Sequence, residues 1–106
     1  MKYYYTYVLY SYKDRKLYTG YTVDLGNRLS EHKNGKVFST KHRLPVELIY
    51  YEVCLDKDDA KQREKYLKSG KGKKYLKNRL RRFLKSRTFL KFGMKCSGFG
   101  PITGTP

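Results

Sequence analysis

Residues Tyr3 to Tyr10 alternate between two faces, Tyr3, Tyr5, Tyr7 and Leu9 on one and Tyr4, Thr6, Val8 and Tyr10 on the other. That period, carried by aromatic and β-branched side chains, predicts a strand. Ser11 to Arg15 is short and polar, and Lys16 to Thr19 reads as a second strand. The simplest arrangement of the two is an antiparallel hairpin that brings Tyr7 and Tyr18 close together. Gly20 reads as a sharp turn after Thr19, with Thr22 or Asp24 accepting the free amides of a helix start. Past that cap, Leu25, Arg28, Leu29 and His32 recur at i, i+3, i+4 and i+7. They form one stripe on which two leucines pack inward while an arginine and a histidine are held at the border of the core.

Asn34-Gly35 stops this helix, and a basic loop runs through Lys36, Ser39, Thr40, Lys41, His42 and Arg43 to Pro45. Val46 to Val53 reads as a third strand, apolar and tyrosine-rich on both faces. Asp56, Asp58 and Asp59 supply the negative start that a second helix prefers, from about Lys57 to Ser69. On it Ala60, Glu64 and Leu67 share the inward stripe. Ser69-Gly70-Lys71-Gly72 reads as a break, after which a third helix from Lys73 to about Lys85 turns Leu76, Leu80, Phe83 and Leu84 inward. Residues 1–85 are thus expected to form one domain, and residues 86–106 a flexible or loosely docked tail with Phe89, Leu90 and Phe92 as its anchors.

Composition narrows the class. A chain of 106 residues has room for one modest core and for no separate recognition domain. Twenty-five Lys and Arg against nine Asp and Glu give a net charge of +16, which points to a polyanionic partner. Twelve tyrosines favour nucleic acid among polyanions, because tyrosine both stacks on bases and hydrogen-bonds to phosphates. Cys54 and Cys96 stand isolated, which supports neither a zinc site nor a disulfide framework and suggests a reduced, cytoplasmic protein. No apolar run approaches the ~20 residues that cross a bilayer, so no membrane partner is expected.

Three features carry chemistry. Arg28 and His32 on one helical stripe resemble an anion site, with an ion pair to Asp24 as the ordinary alternative for Arg28. Glu64 on an inward stripe needs a cation, either Lys68 one turn on or a magnesium ion whose other positions are water and phosphate oxygen. Lys73, Lys74, Lys77, Arg79, Arg81, Arg82 and Lys85 on the third helix, and Lys36, Lys41 and Arg43 in the loop, form basic surfaces suited to a phosphate backbone.

Tyr5-Thr6-Tyr7 and Tyr18-Thr19-Gly20, followed by Asp24-Leu25, Arg28-Leu29 and His32 and then by Ala60, Glu64, Leu67 and Lys68, resemble the pattern of the GIY-YIG endonuclease superfamily. The likeness spans roughly residues 3 to 80 and is strongest to small single-domain bacterial members. Tyr5-Thr6 stands where the family usually has Gly-Ile, and Thr19 where the second motif has isoleucine; both are strand positions where side-chain shape varies.

The resemblance implies an α/β (α+β) fold with a central three-stranded antiparallel sheet flanked by helices in the order β-β-α-β-α-α. It also implies metal-dependent hydrolysis of DNA phosphodiesters, with low sequence specificity and a role such as repair or recombination. Carried onto this chain, Glu64 would bind magnesium or manganese and Arg28 would hold the scissile phosphate. Tyr18 or His32 would deprotonate or orient the attacking water, with Tyr7 assisting. The DNA contacts would come from Lys36, Lys41, Arg43, Lys73, Lys74, Lys77 and Arg81, RNA remaining an alternative substrate. A single site cuts one strand at a time, so a monomer or a transient dimer is expected. The competing reading is a basic nucleic-acid-binding domain that keeps the fold without cleavage.

Overall fold

β1, Tyr4–Ser11, is the middle strand of a three-stranded sheet ordered β2-β1-β3, with β2 spanning Leu17–Thr22 and β3 spanning Val46–Cys54. The computed structural model describes residues 1–91, with side chains described through residue 86. Both pairings are antiparallel, with Tyr7 opposite Gly20 on β2 and opposite Tyr51 on β3, and a bulge interrupts the β1–β3 ladder between Val8 and Leu9. Three helices complete the expected β-β-α-β-α-α order: α1 Leu25–Lys33, α2 Lys57–Lys68 and α3 Gly70–Arg79; a fourth, α4 Arg81–Lys91, follows. The chain divides into two units, Met1–Ser69 and a second that begins at Gly70.

The two faces of β1 bury different partners, as strand alternation requires. On one, Tyr7 and Leu9 form a core with Val46, against which Tyr18, Leu25, Leu29, Leu44 and Leu48 pack. This is where the leucine stripe of α1 goes. On the other, Thr6 and Val8 are fully buried, and the Thr6 hydroxyl donates to the Ala60 carbonyl of α2 at 2.8 Å. Ala60 and Leu67 are buried to 0% exposure, so the inward stripe of α2 falls where the sequence pattern places it. Caps fix both helices. Asp24 Oδ1 accepts the Asn27 amide at 3.1 Å, and Asp56 Oδ2 accepts the amides of Asp58 and Asp59 at 2.9 and 3.1 Å.

Two expectations need correction. Gly20 does not turn the chain: it lies inside β2 and pairs with Tyr7, and the strand runs on to Thr22. The glycine answers a steric demand instead, since a Cβ there would overlap the Tyr7 hydroxyl and ring. Second, the helix expected from Lys73 to Lys85 is two helices, with α3 starting at Gly70 and α4 crossing the proposed tail boundary at residue 86. Ser69 alone breaks the path, with extended backbone and its amide bonded to the Tyr66 carbonyl at 2.9 Å. Gly70 opens the first turn of α3 and Gly72 is buried within it, and after Gly72 no glycine or proline interrupts the sequence until Gly93. Phe92 and the rest of the expected tail lie outside the described residues, as does Cys96; of Phe89 and Leu90 only the backbone is described.

Candidate active site

Because β2 is an edge of the sheet, α1 and α2, packed on opposite faces, both reach its flank. A cleft of about 250 Å³ opens there, lined by residues of both faces that include Tyr7, Tyr18, Arg28, His32, Glu64 and Lys68. The five side chains expected to be catalytic therefore share one cleft, all within Met1–Ser69.

At its floor is a hydrogen-bonded chain. The Tyr7 hydroxyl lies 2.8 Å from His32 Nε2, and His32 Nδ1 lies 2.7 Å from Thr40 Oγ1. Arg28 Nε donates to the Tyr7 oxygen at 3.4 Å, and its terminal nitrogen pairs with Glu31 at 3.0 Å rather than with Asp24. Tyr7, His32 and Thr40 are 2%, 3% and 1% exposed, whereas Arg28 is partly open to solvent. Burial pushes the Tyr7 phenol above its ordinary pKa of 10.0, against the lowering effect of Arg28. Burial and the Arg28 charge both push His32 below 6.5, against a small opposing effect of Glu31. Near neutral pH the pair is therefore a neutral phenol against a neutral imidazole.

Tyr18 is tied differently. Its hydroxyl donates to Asp14 Oδ2, while Arg43 pairs with the same carboxylate at 3.5 Å and stacks on the Tyr18 ring at 5.4 Å. Burial and the Asp14 carboxylate raise the Tyr18 pKa. Burial would raise Asp14 as well, but the hydrogen bonds from Tyr18, the Lys16 amide and Ser11, with the charge of Arg43, hold it below 3.8.

Glu64 comes from α2 on the far wall. It is 24% exposed at the side chain, and one oxygen pairs with Lys68 Nζ at 3.0 Å. Among the described residues no group of three or more His, Cys, Asp and Glu converges. A lone cleft carboxylate fits a magnesium-type ion that keeps water and phosphate oxygens in its other positions, and does not fit a calcium or zinc cage.

The GIY-YIG catalytic domain model matches residues 3–79, which is most of the chain and holds every group in this cleft. The chain belongs to the GIY-YIG family. That family is a nuclease family, and membership points to nucleic acid as the partner. The GIY-YIG domain is 48% identical over 68 residues to a UPF0213 protein of Streptococcus pyogenes serotype M5 (strain Manfredo), covering 63% of this chain and 73% of that one. It is 49% identical over 59 residues to a UPF0213 protein of S. pyogenes serotype M3 (strain ATCC BAA-595 / MGAS315), covering 55% and 64%. The solution NMR structure of a UPF0213 protein from Bacillus halodurans is 34% identical and covers 70% of this chain and 81% of that one, with a TM-score of 0.45. No described helix of the GIY-YIG chain is long and apolar enough to cross a membrane.

The expected nucleic-acid contacts fall into separate groups. Lys36 and Lys41 are exposed on the loop after α1, with Lys41 lying 5.2 Å over the ring of Phe38. Arg43, from the same loop, is engaged with Asp14 and Tyr18. Lys73, Lys74, Lys77 and Arg81 are exposed on α3 and α4. Sequence reasoning gave no role to Thr40 or Asp14, whose importance is a matter of distance in space. Its one signal for Thr40 was the presence of small hydroxyl residues in an otherwise basic loop.

Proposed function

We propose that this protein is a divalent-metal-dependent DNA endonuclease that uses the Tyr7–His32 pair as its proton acceptor. The observation that carries this reading is the buried Thr40–His32–Tyr7 chain capped by Arg28, facing the carboxylate of Glu64 across one cleft.

Tyr7 alone is a poor base, because its pKa lies above 10. Coupled to a neutral imidazole it accepts a proton without holding a net negative charge. As water attacks phosphorus, its proton passes to the Tyr7 oxygen while the Tyr7 proton passes to His32 Nε2, and the bond from phosphorus to the leaving sugar oxygen breaks, that oxygen taking a proton from solvent water. Arg28, whose Nε lies beside the Tyr7 oxygen, holds the phosphate and offsets its developing charge. Glu64 would hold the divalent cation, which when bound supplies Lewis-acid polarisation of a phosphoryl oxygen. Lys68 gives up its share of Glu64 in that state. Tyr18, held by Asp14, orients the phosphate side of the cleft and takes no proton. The exposed lysines of the Lys36–Lys41 loop and the basic residues of α3 and α4 bind the DNA backbone, in a salt-dependent and sequence-tolerant way. The setting is the cytoplasm, where free thiols such as Cys54 stay reduced.

The test is nicking of supercoiled plasmid with magnesium, with manganese and with chelator, beside Glu64→Ala. Metal-dependent nicking is expected, with at least a hundredfold loss in the variant at unchanged DNA affinity. Equal nicking by the variant removes Glu64 from the mechanism. The 3.0 Å pair between Glu64 and Lys68 is the one feature that favours a binding module. Salt-sensitive DNA binding, with no cutting of duplex, branched or single-stranded DNA or of RNA, would establish that reading instead.

A further inference from the structure

The imidazole of His32 has a hydrogen-bond partner at each nitrogen, and both partners are hydroxyls: Tyr7 at Nε2 and Thr40 at Nδ1. A hydroxyl either gives or takes a hydrogen, so the neutral ring has two self-consistent states that run in opposite directions. In one, Tyr7 donates to a bare Nε2, and Nδ1–H donates to Thr40. In the other, Thr40 donates to Nδ1, and Nε2–H donates to Tyr7. Only the first leaves an acceptor facing the phenol.

Two features of the site select that direction, and a third holds the acceptor in place. Arg28 Nε–H is a donor without acceptor capacity and already points at the Tyr7 oxygen at 3.4 Å. It draws electron density from the phenol, which strengthens the phenolic O–H as a donor and weakens the oxygen as an acceptor of a second hydrogen. The two hydroxyls are also unequal: a phenol is the stronger acid and an alkyl alcohol the stronger acceptor, so the chain polarises from Arg28 through Tyr7 and His32 to Thr40. Finally, Thr40 is fixed in place. It is 1% exposed and β-branched, its amide bonds to the Val37 carbonyl at 3.1 Å, and its carbonyl accepts the Arg43 amide at 2.8 Å.

We propose that Thr40 is a positioning residue that holds His32 as the Nδ1–H tautomer, so that Nε2 stands bare toward Tyr7. Thr40 lines the cleft but is 1% exposed, which leaves it almost no surface to offer a substrate. It acts through the ring, as the partner at the second nitrogen of a ligating or catalytic histidine generally does. The catalytic consequence rests on the proton relay proposed above, whereas the tautomer itself does not depend on any activity.

The experiment is therefore spectroscopic first. Two- and three-bond proton–nitrogen correlation spectra of the uniformly nitrogen-15-labelled full chain, recorded above the titration of His32, report which ring nitrogen carries hydrogen. His42, the second of two histidines and exposed, serves as internal reference. The expected spectrum shows a protonated Nδ1 and a bare Nε2 for His32; a protonated Nε2 in the native chain overturns the proposal without any variant. Thr40→Val keeps the shape and removes the acceptor, and should shift His32 toward the Nε2–H form. It should also lower the plasmid-nicking kcat on the order of tenfold with KM for DNA unchanged, and Thr40→Ser should restore both readouts. Retention of the native tautomer in a folded Thr40→Val protein also overturns it. If the tautomer moves as expected but the native chain cuts no nucleic acid, the nuclease reading fails and the assignment of Thr40 stands.

Discussion

Tyr7 and Tyr18 stand on neighbouring strands, on the same face of the sheet and at the edge of the same cleft, yet their hydroxyls have chemically opposite partners. Tyr7 faces an imidazole and receives a guanidinium hydrogen; Tyr18 faces a carboxylate and has its ring covered by a guanidinium. A carboxylate partner holds a phenolic proton in place, because losing that proton would set two negative charges side by side. An imidazole partner can take the proton and become a cation next to the phenolate it creates. In the proposed mechanism, what makes one tyrosine a proton carrier and the other a fixed donor is its neighbour, twenty-five residues away for Tyr7 and four residues away for Tyr18.

The contrast can be broken most directly at Tyr7. Tyr7→Phe removes the hydroxyl and leaves the ring, and should lower the nicking rate by about 10²–10⁴-fold while DNA affinity holds; a loss under threefold would transfer the base role elsewhere. Gly20→Ala should come next. The added methyl overlaps the buried Tyr7 ring and leaves Tyr18 alone, so it should cost about 1–3 kcal/mol of stability by overpacking and displace the hydroxyl from His32. Chemical denaturation and the nicking rate together check this, and an undisturbed rate would show that the ring position is not critical.

A third test is pH. The folded-state pKa of His32 lies below 6.5, so between the two values the unfolded chain binds more protons than the folded one. Stability should therefore be full above about pH 6.5 and fall as pH drops through the lowered value. The nicking rate should show an acid limb at that same lowered value, set by burial and the Arg28 charge against the opposing effect of Glu31. Rate profiles of the native chain and of Tyr18→Phe should share that limb, and its absence would take His32 out of the relay. The smallest effect is that of Tyr18→Phe on the rate itself, expected at a few-fold, because its proton stays with Asp14. A loss as large as that of Tyr7→Phe would erase the distinction between the two.

Much of the fold was legible because hydrophobic period and turn chemistry agree along the chain. The alternation from Tyr3 to Tyr10, the cap at Asp24, the stop at Asn34-Gly35 and the inward stripe of Ala60 and Leu67 all appear where local pattern puts them. Gly20 misled because a glycine chosen for a neighbour's ring looks, in sequence, the same as one chosen for a turn. The glycines at 70 and 72 misled for the converse reason: one opens a helix and the other is buried in it, and neither breaks it. In the site, stripe positions brought Arg28, His32 and Glu64 into view, since a polar side chain on an apolar face is a local anomaly. Thr40 and Asp14 carry no such anomaly. Their roles arise from distances of 3.5 Å or less across loops and turns, which no period encodes.

The place of the cleft on β2 also governs how copies of this chain can assemble. A sheet grows by adding a strand to an edge, and here the two edges are β2 and β3. Any strand laid along β2 would roof over Thr19, Gly20 and Tyr21, which form one wall of the cleft. Sheet-to-sheet pairing through that edge would therefore cover part of the cleft lining, whereas pairing through β3 would not add a strand beside it.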